Sequence, residues 1–112
     1  MIQEFTFDGE GWKILHEFEG WRTGLLRYSE RFAKLSEMEK HLKSDEAFVL
    51  LQGEATLYTE NEERKMKPLV LYNIPKGIFH HIVLSKDAVV FVVENSNTVR
   101  ENTEKWYMKG EN

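Results

Sequence analysis

The stretch VLYNIPKGIFHH, residues 70–81, decides the fold when it is read with EKHLKSDEAFVLLQG, residues 39–53. Each joins a run of β-forming apolar residues to imidazole or carboxylate side chains at its end. Pro75 fixes its own φ, and Gly77 accepts backbone that a Cβ disfavours. Pro75-Lys76-Gly77 is therefore a rigid turn that delivers Phe79, His80 and His81. On a regular strand His80 and His81 point to opposite faces, so only one enters a given cavity. In the other stretch Glu39 and His41 are two apart and share a face if the chain is extended. A turn over residues 42–45 returns Glu46 to that face. Gly53 ends the apolar strand that Glu46 begins, where a tight turn calls for a residue without a Cβ.

Working outward, the chain reads as successive short β runs. Residues 12–18 and 21–28 form a first pair around a tight turn at Glu19-Gly20. Residues 29–40 are polar and mixed, with Phe32, Leu35 and Met38 on one side of a short helix or an irregular crossover. Residues 47–52 and 55–60 read as a hairpin about Gly53-Glu54. ENEERKMK, residues 60–67, reads as a solvated turn. Pro68 opens a strand through Tyr72, and residues 80–84, 88–94 and 105–108 complete the set. AFVLLQ and VVFVV are apolar on both faces, which implies two packed sheets or a covered barrel rather than one open sheet. The polar tail NSNTVRENTE, residues 95–104, reads as a surface excursion.

At 112 residues the chain is expected to form one domain, residues 1–112. It has no cysteine, which removes disulfides, thiolate metal sites and cysteine nucleophiles. Fifteen basic and 19 acidic residues give a net charge of −4, which argues against nucleic acid as a partner. The N-terminus lacks a signal-peptide pattern, and no apolar run approaches the roughly 20 residues that span a bilayer. A cytoplasmic location without membrane contact is expected. No internal repeat, phosphate-cradling glycine loop or nucleophile constellation is present.

Glu39-x-His41-x4-Glu46-x6-Gly53 and Pro75-x-Gly77-x2-His80, with fifteen residues between the motifs, resemble the two motifs of the cupin family. Those are commonly written G-x5-H-x-H-x(3,4)-E-x6-G and G-x5-P-x-G-x2-H-x3-N. Glu39 stands where the family has its first histidine. Ala33 and Leu69 stand at the opening glycines, and Leu84 at the closing asparagine. With a three-residue gap in the first motif, Lys40 and Leu42 would fall on the histidine positions, leaving Glu46 and His80 alone. The resemblance implies an all-β, single-domain, cupin-like jelly-roll β-barrel. It also implies a metal ligand set of His80, Glu46, His41 and Glu39.

Nitrogen and oxygen donors without sulfur suit a divalent transition metal such as Zn, Mn, Fe, Co or Ni. Phe48 and Leu50 share the parity of Glu46 and are expected to line the pocket, with Phe79 capping His80 from the other side. Trp12 and Trp21 are expected in the core. Arg22 and Arg27 have opposite parity, so one of them would reach the cavity and pair with an anionic ligand. His81 faces away, and His16 has no motif around it. Two functions follow from the resemblance. One is a metal-dependent enzyme acting on a small polar metabolite, a sugar or a carboxylic acid. The other is a non-catalytic small-ligand-binding or sensing module with a degenerate metal site. Small cupins often pair, so a homodimer is expected, with the aromatic segment EKWYMK, residues 104–109, available to pack on a partner.

Overall fold

The computed structural model describes residues 1–108. It is built from ten strands: β1 (Gly11–Phe18), β2 (Trp21–Arg27), β3 (Glu37–His41), β4 (Glu46–Gln52), β5 (Ala55–Thr59), β6 (Glu63–Lys65), β7 (Leu71–Ile74), β8 (His80–Leu84), β9 (Val89–Asn95) and β10 (Thr103–Tyr107). Short 3-10 turns at Glu30–Phe32 and Arg100–Asn102 interrupt the connections. The strands form two five-stranded sheets, ordered β1-β2-β9-β4-β7 and β10-β3-β8-β5-β6. Every pairing between named strands is antiparallel. Apart from the β1–β2 and β5–β6 pairs, successive strands cross from one sheet to the other, which is the jelly-roll arrangement.

Strand alternation places the core. Phe48 and Leu50 of β4 share a face with Val90 and Val92 of β9. They meet Leu57 and Ile82 from the opposite sheet in one buried cluster. None of these side chains is more than 4% exposed. Packing the two inner faces removes apolar area from water at about 25 cal/mol per Å2, and this is what closes the barrel.

Several boundaries differ from those the sequence suggests, each for a physical reason. Residues 47–52 and 55–60 are not a hairpin. β4 has β9 on one side and β7 on the other, so no edge is left for β5, which joins the opposite sheet beside β8. Residues 60–67 are not wholly solvated: they contain β6, and Met66 is buried in the core. The strand expected from Pro68 begins later, at Leu71, because Leu69 adopts φ +64 and breaks the extended run. Of the two alternatives for residues 29–40, the irregular crossover is the one formed, and it is shorter than expected. A single 3-10 turn buries Phe32, and β3 starts at Glu37. β10 begins at Thr103, two residues before its expected start. Lys109, the last residue of the aromatic segment, lies outside the described residues.

The two motif turns are clipped together. The Gly77 amide donates to the His41 carbonyl at 2.8 Å. Asp45 reaches across, accepting from the Lys76 amide at 2.9 Å and from Asn73 Nδ2 at 3.1 Å. These bonds hold its carboxyl below the usual range. They fix the end of β3 and the start of β4 against the turn that launches β8, which positions the site.

Candidate functional site

His41, Glu46 and His80 come from three strands, two in one sheet and one in the other, and converge inside the barrel. One donor atom from each lies within 4.8 Å of the other two. His80 Nε2 is 2.9 Å from Glu46 Oε1, and His41 Nε2 is 3.2 Å from the same oxygen. Each imidazole is oriented through its other nitrogen. His80 Nδ1 sits 3.0 Å from the Ile78 carbonyl, which can only accept, so Nδ1 carries a proton. Thr103 Oγ1 donates to the Val99 carbonyl at 2.9 Å and sits 3.0 Å from His41 Nδ1, so it accepts from that nitrogen. Both Nε2 atoms are thereby turned toward Glu46, the arrangement that fixes imidazole ligands at metal centres. His41 Nε2 is buried and makes no well-aligned hydrogen bond.

Glu39, the fourth expected ligand, stands beside this three-residue cluster rather than in it. It is the register partner of His80 across β3 and β8. Its Oε1 is 3.7 Å from His41 Nε2, while Oε2 receives Arg31 at 3.0 Å. One carboxylate oxygen is thus held by an arginine and the other faces the cluster.

A cavity of about 690 Å3 opens over these groups. Phe48 lines it and packs edge-on to His80, with ring centroids 6.1 Å apart. Leu50 and Phe79 are not among its lining residues. Leu50 lies further along β4, 1% exposed in the core. Phe79 precedes His80, so alternation sends its ring to the other face, against Trp106 and beneath Lys40. His81, expected to face away, is outside the His41–Glu46–His80 cluster but does line the cavity. It stacks on Phe32 and donates through Nε2 to the Arg31 carbonyl at 3.1 Å. Burial, with Arg31 nearby, holds its pKa below the ordinary value. Trp12 packs on the core and lines the cavity, whereas Trp21 is 45% exposed on the outer face beside Phe18. Arg22 faces the cavity, and Arg27 instead donates to the Phe7 carbonyl at 3.3 Å.

A further group, Glu94, was not singled out by the motifs. It is 6% exposed and stands directly across from Glu46 in the β4–β9 register. Arg22 holds it, with Nε and Nη2 both 2.6 Å from Oε2. Burial is the largest influence on this carboxyl. Together with the Glu46 carboxylate beside it, burial outweighs Arg22 and pushes the pKa up to about 8. Glu46 responds the other way: burial, the largest influence, would raise it, but the imidazoles of His41 and His80 beside it outweigh burial and hold it well below the usual carboxylate range. For His80 burial is the largest influence and lowers it, but the Glu46 hydrogen bond and charge together outweigh burial and raise the pKa above the ordinary value. The signal for Glu94 was its parity with Val90 and Val92, which puts a carboxylate on the inner face of a core strand.

The tail 95–104 is no mere excursion. Thr98, Val99, Arg100 and Thr103 line the cavity and form one wall of it.

No family model and no curated protein matches the sequence. Solved structures do. The cupin-2 domain protein of Shewanella frigidimarina aligns with a TM-score of 0.65 at 17% identity, over 80% of this chain and 84% of that one. KdgF from Halomonas aligns at 0.66 and 17%, over 88% and 91%. A uridine-bound form of Streptomyces Pac13, described as a nucleoside dehydratase, aligns at 0.74 and 8%, over 98% and 94%. Likeness at these identities resides in the backbone, and it places this chain in the cupin jelly-roll fold.

Proposed function

We propose that the barrel holds a divalent transition metal (Zn, Mn, Fe, Co or Ni) on His41, Glu46 and His80, with Glu39 beside the set, and acts on a small polar metabolite, a sugar or a carboxylic acid. The observation that carries this reading is the pair of imidazoles whose Nδ1 atoms are committed, leaving both Nε2 atoms aimed at one carboxylate oxygen. Donors of one tetrahedral ion, at bond lengths near 2.1 Å, stand about 3.4 Å apart. The two spacings from Glu46 Oε1, 2.9 and 3.2 Å, are close to that, and the orphaned His41 Nε2 gains a partner when an ion binds. A bound metal would polarise a carbonyl or hydroxyl oxygen of the ligand. Glu39, with Oε1 free of Arg31, is placed to take or return a proton at that ligand. Phe48 and Trp12 exclude water from one side of the cavity.

The alternative is a metal-free binding or sensing module. It is supported by the His80–Glu46 and Arg31–Glu39 pairs, which satisfy these groups without an ion. Thermal unfolding separates the two. Chelator-treated protein is reloaded with each metal in turn. A metal at 100 times its Kd stabilises the folded state by about 2.7 kcal/mol, so the first reading predicts a clear rise in Tm for at least one ion. Indifference to all five metals supports the second.

Self-association belongs to the same proposal. Leu25, Phe91, Val49 and Leu71 stand side by side across four strands on the outer face of the first sheet. Leu71 is 62% exposed. Sedimentation equilibrium of wild type and Leu71→Lys tests it: a dimer that dissociates in the variant supports pairing through this face, and a monomeric wild type rejects it. No helix among the described residues is long and apolar enough to cross a membrane.

A further inference from the structure

Arg22, Arg31, Arg100 and Lys105 line the cavity against the carboxyls of Glu39, Glu46 and Glu94. Even before a metal adds its charge, cationic side chains outnumber acidic ones. Three of the four cations have partners. Arg22 is 11% exposed, fixed on Glu94 and on the Thr98 carbonyl, so it has no free face for a ligand. Arg31 is divided between Glu37 and Glu39 at 3.2 and 3.0 Å. Lys105 stands 3.5 Å from Glu37, a carboxylate it shares with Arg31, and its side chain is 40% exposed. Arg100 differs: among the described residues no carboxylate lies within 4.0 Å of its guanidinium.

The backbone carrying Arg100 is fixed. The Asn102 amide donates to the Val99 carbonyl at 3.0 Å, and Asn102 Nδ2 donates to the Asn97 carbonyl at 2.9 Å. Thr103 Oγ1 bonds the same Val99 carbonyl and accepts from His41 Nδ1. One short chain of hydrogen bonds therefore ties the turn that bears Arg100 to an imidazole of the central cluster. The inner face of β10 continues this wall, with Thr103 and Lys105 opposite His41 and Glu39 in register.

A planar guanidinium with no carboxylate partner among the described residues, on a hydrogen-bonded turn at a cation-rich cavity, matches a carboxylate or phosphate in shape and charge. We infer that the ligand of this cavity is a small anion whose carboxylate or phosphate docks on Arg100, with Lys105 as the second cation, while its other end faces His41, Glu46 and His80. The inference rests on the cavity being a ligand site, as proposed above, and not on the metal. It replaces Arg22 with Arg100 as the arginine that meets an anion.

The test is titration of the full chain with inorganic phosphate and, separately, succinate, followed by calorimetry and by amide chemical shifts. Chelator-treated and metal-reloaded samples are compared. The variants are Arg100→Gln, Lys105→Gln and the control Lys65→Gln, whose side chain is 72% exposed on the far strand β6. At least one anion is expected to bind wild type and shift the amides of Thr98 and Thr103. Binding is expected to weaken about tenfold or more in Arg100→Gln, as for loss of a charge-assisted hydrogen bond, and to stay unchanged in Lys65→Gln. The preferred anion identifies the ligand as a phosphate or a carboxylate. Failure of both anions to bind, or equal affinity in Arg100→Gln and wild type, overturns the inference. Circular dichroism confirms folding of the variants. Metal content of Arg100→Gln is read in parallel: lost anion binding with metal retained supports the inference, and absence of metal in all samples counts against the metal centre alone.

Discussion

Gly53 carries the chain from β4 in one sheet to β5 in the other, at φ +76. A Cβ built there would stand 2.7 Å from Ala88 Cα and 2.8 Å from Ala88 N. Both are backbone atoms, so no side-chain rotation relieves the contact. A left-handed conformation costs an ordinary residue about 1–2 kcal/mol, and forced overpacking costs about 1–3 kcal/mol. Gly53→Ala should therefore lose about 2–5 kcal/mol, a large part of the stability of a domain this size. Gly77 separates the two contributions. It has φ +81, yet an added Cβ would meet nothing within 4 Å. Gly77→Ala should lose only the conformational part, about 1–2 kcal/mol. Urea unfolding of the chelator-treated wild type and both variants, with m-values compared, measures the difference. Equal losses at the two glycines would refute the close seating of the β4–β5 turn on Ala88. With it would go the physical reason for glycine at that place.

Two predictions concern protons. Glu94 keeps its proton in the folded state up to about pH 8, whereas an ordinary glutamate loses it near 4.5. The folded state thus binds more protons across that window, and stability of the metal-free protein should fall as pH rises through it. The limiting slope is about 1.4 kcal/mol per pH unit, so urea unfolding at several pH values should show a slope that Glu94→Gln flattens; the same slope in both proteins contradicts the assignment. The raised pKa of His80 adds in the same direction: its contribution is complete below about 6.5 and is lost as pH rises through the folded value. A metal must displace the proton between His80 Nε2 and Glu46. Calorimetric metal affinity should therefore increase with pH, and titrations in buffers of different ionisation enthalpy should show net proton release; pH-independent binding would place the metal elsewhere.

Much of the architecture was legible because it is encoded locally. The β1–β2 turn at Glu19-Gly20, the two-faced apolar pattern of β4 and β9, and the Pro75-Lys76-Gly77 turn all follow from backbone preference and alternation. Alternation also separated His80 from His81, and Arg22 from Arg27. It says which residues share a face, but not which strand lies alongside. The assumed β4–β5 hairpin failed for that reason: a turn glycine is as suited to changing sheets as to staying in one. Glu94 was overlooked because its meaning depends on Arg22, 72 residues away in sequence. Phe79 was assigned to the pocket by proximity to His80 against the alternation that sends it outward. The wall built from residues 98–103 looked like a polar surface loop because its hydrogen bonds run mainly to backbone carbonyls, which composition does not register.

The central claim is that His41, Glu46 and His80 hold a metal ion. The most direct measurement is elemental analysis by plasma mass spectrometry of untagged wild type and His80→Ala, each after reconstitution with Mn, Fe, Co, Ni and Zn. Near-stoichiometric metal in the wild type, lost in a folded His80→Ala, is the predicted result. Wild type that retains no metal from any of the five, or His80→Ala that retains as much as wild type, would contradict it.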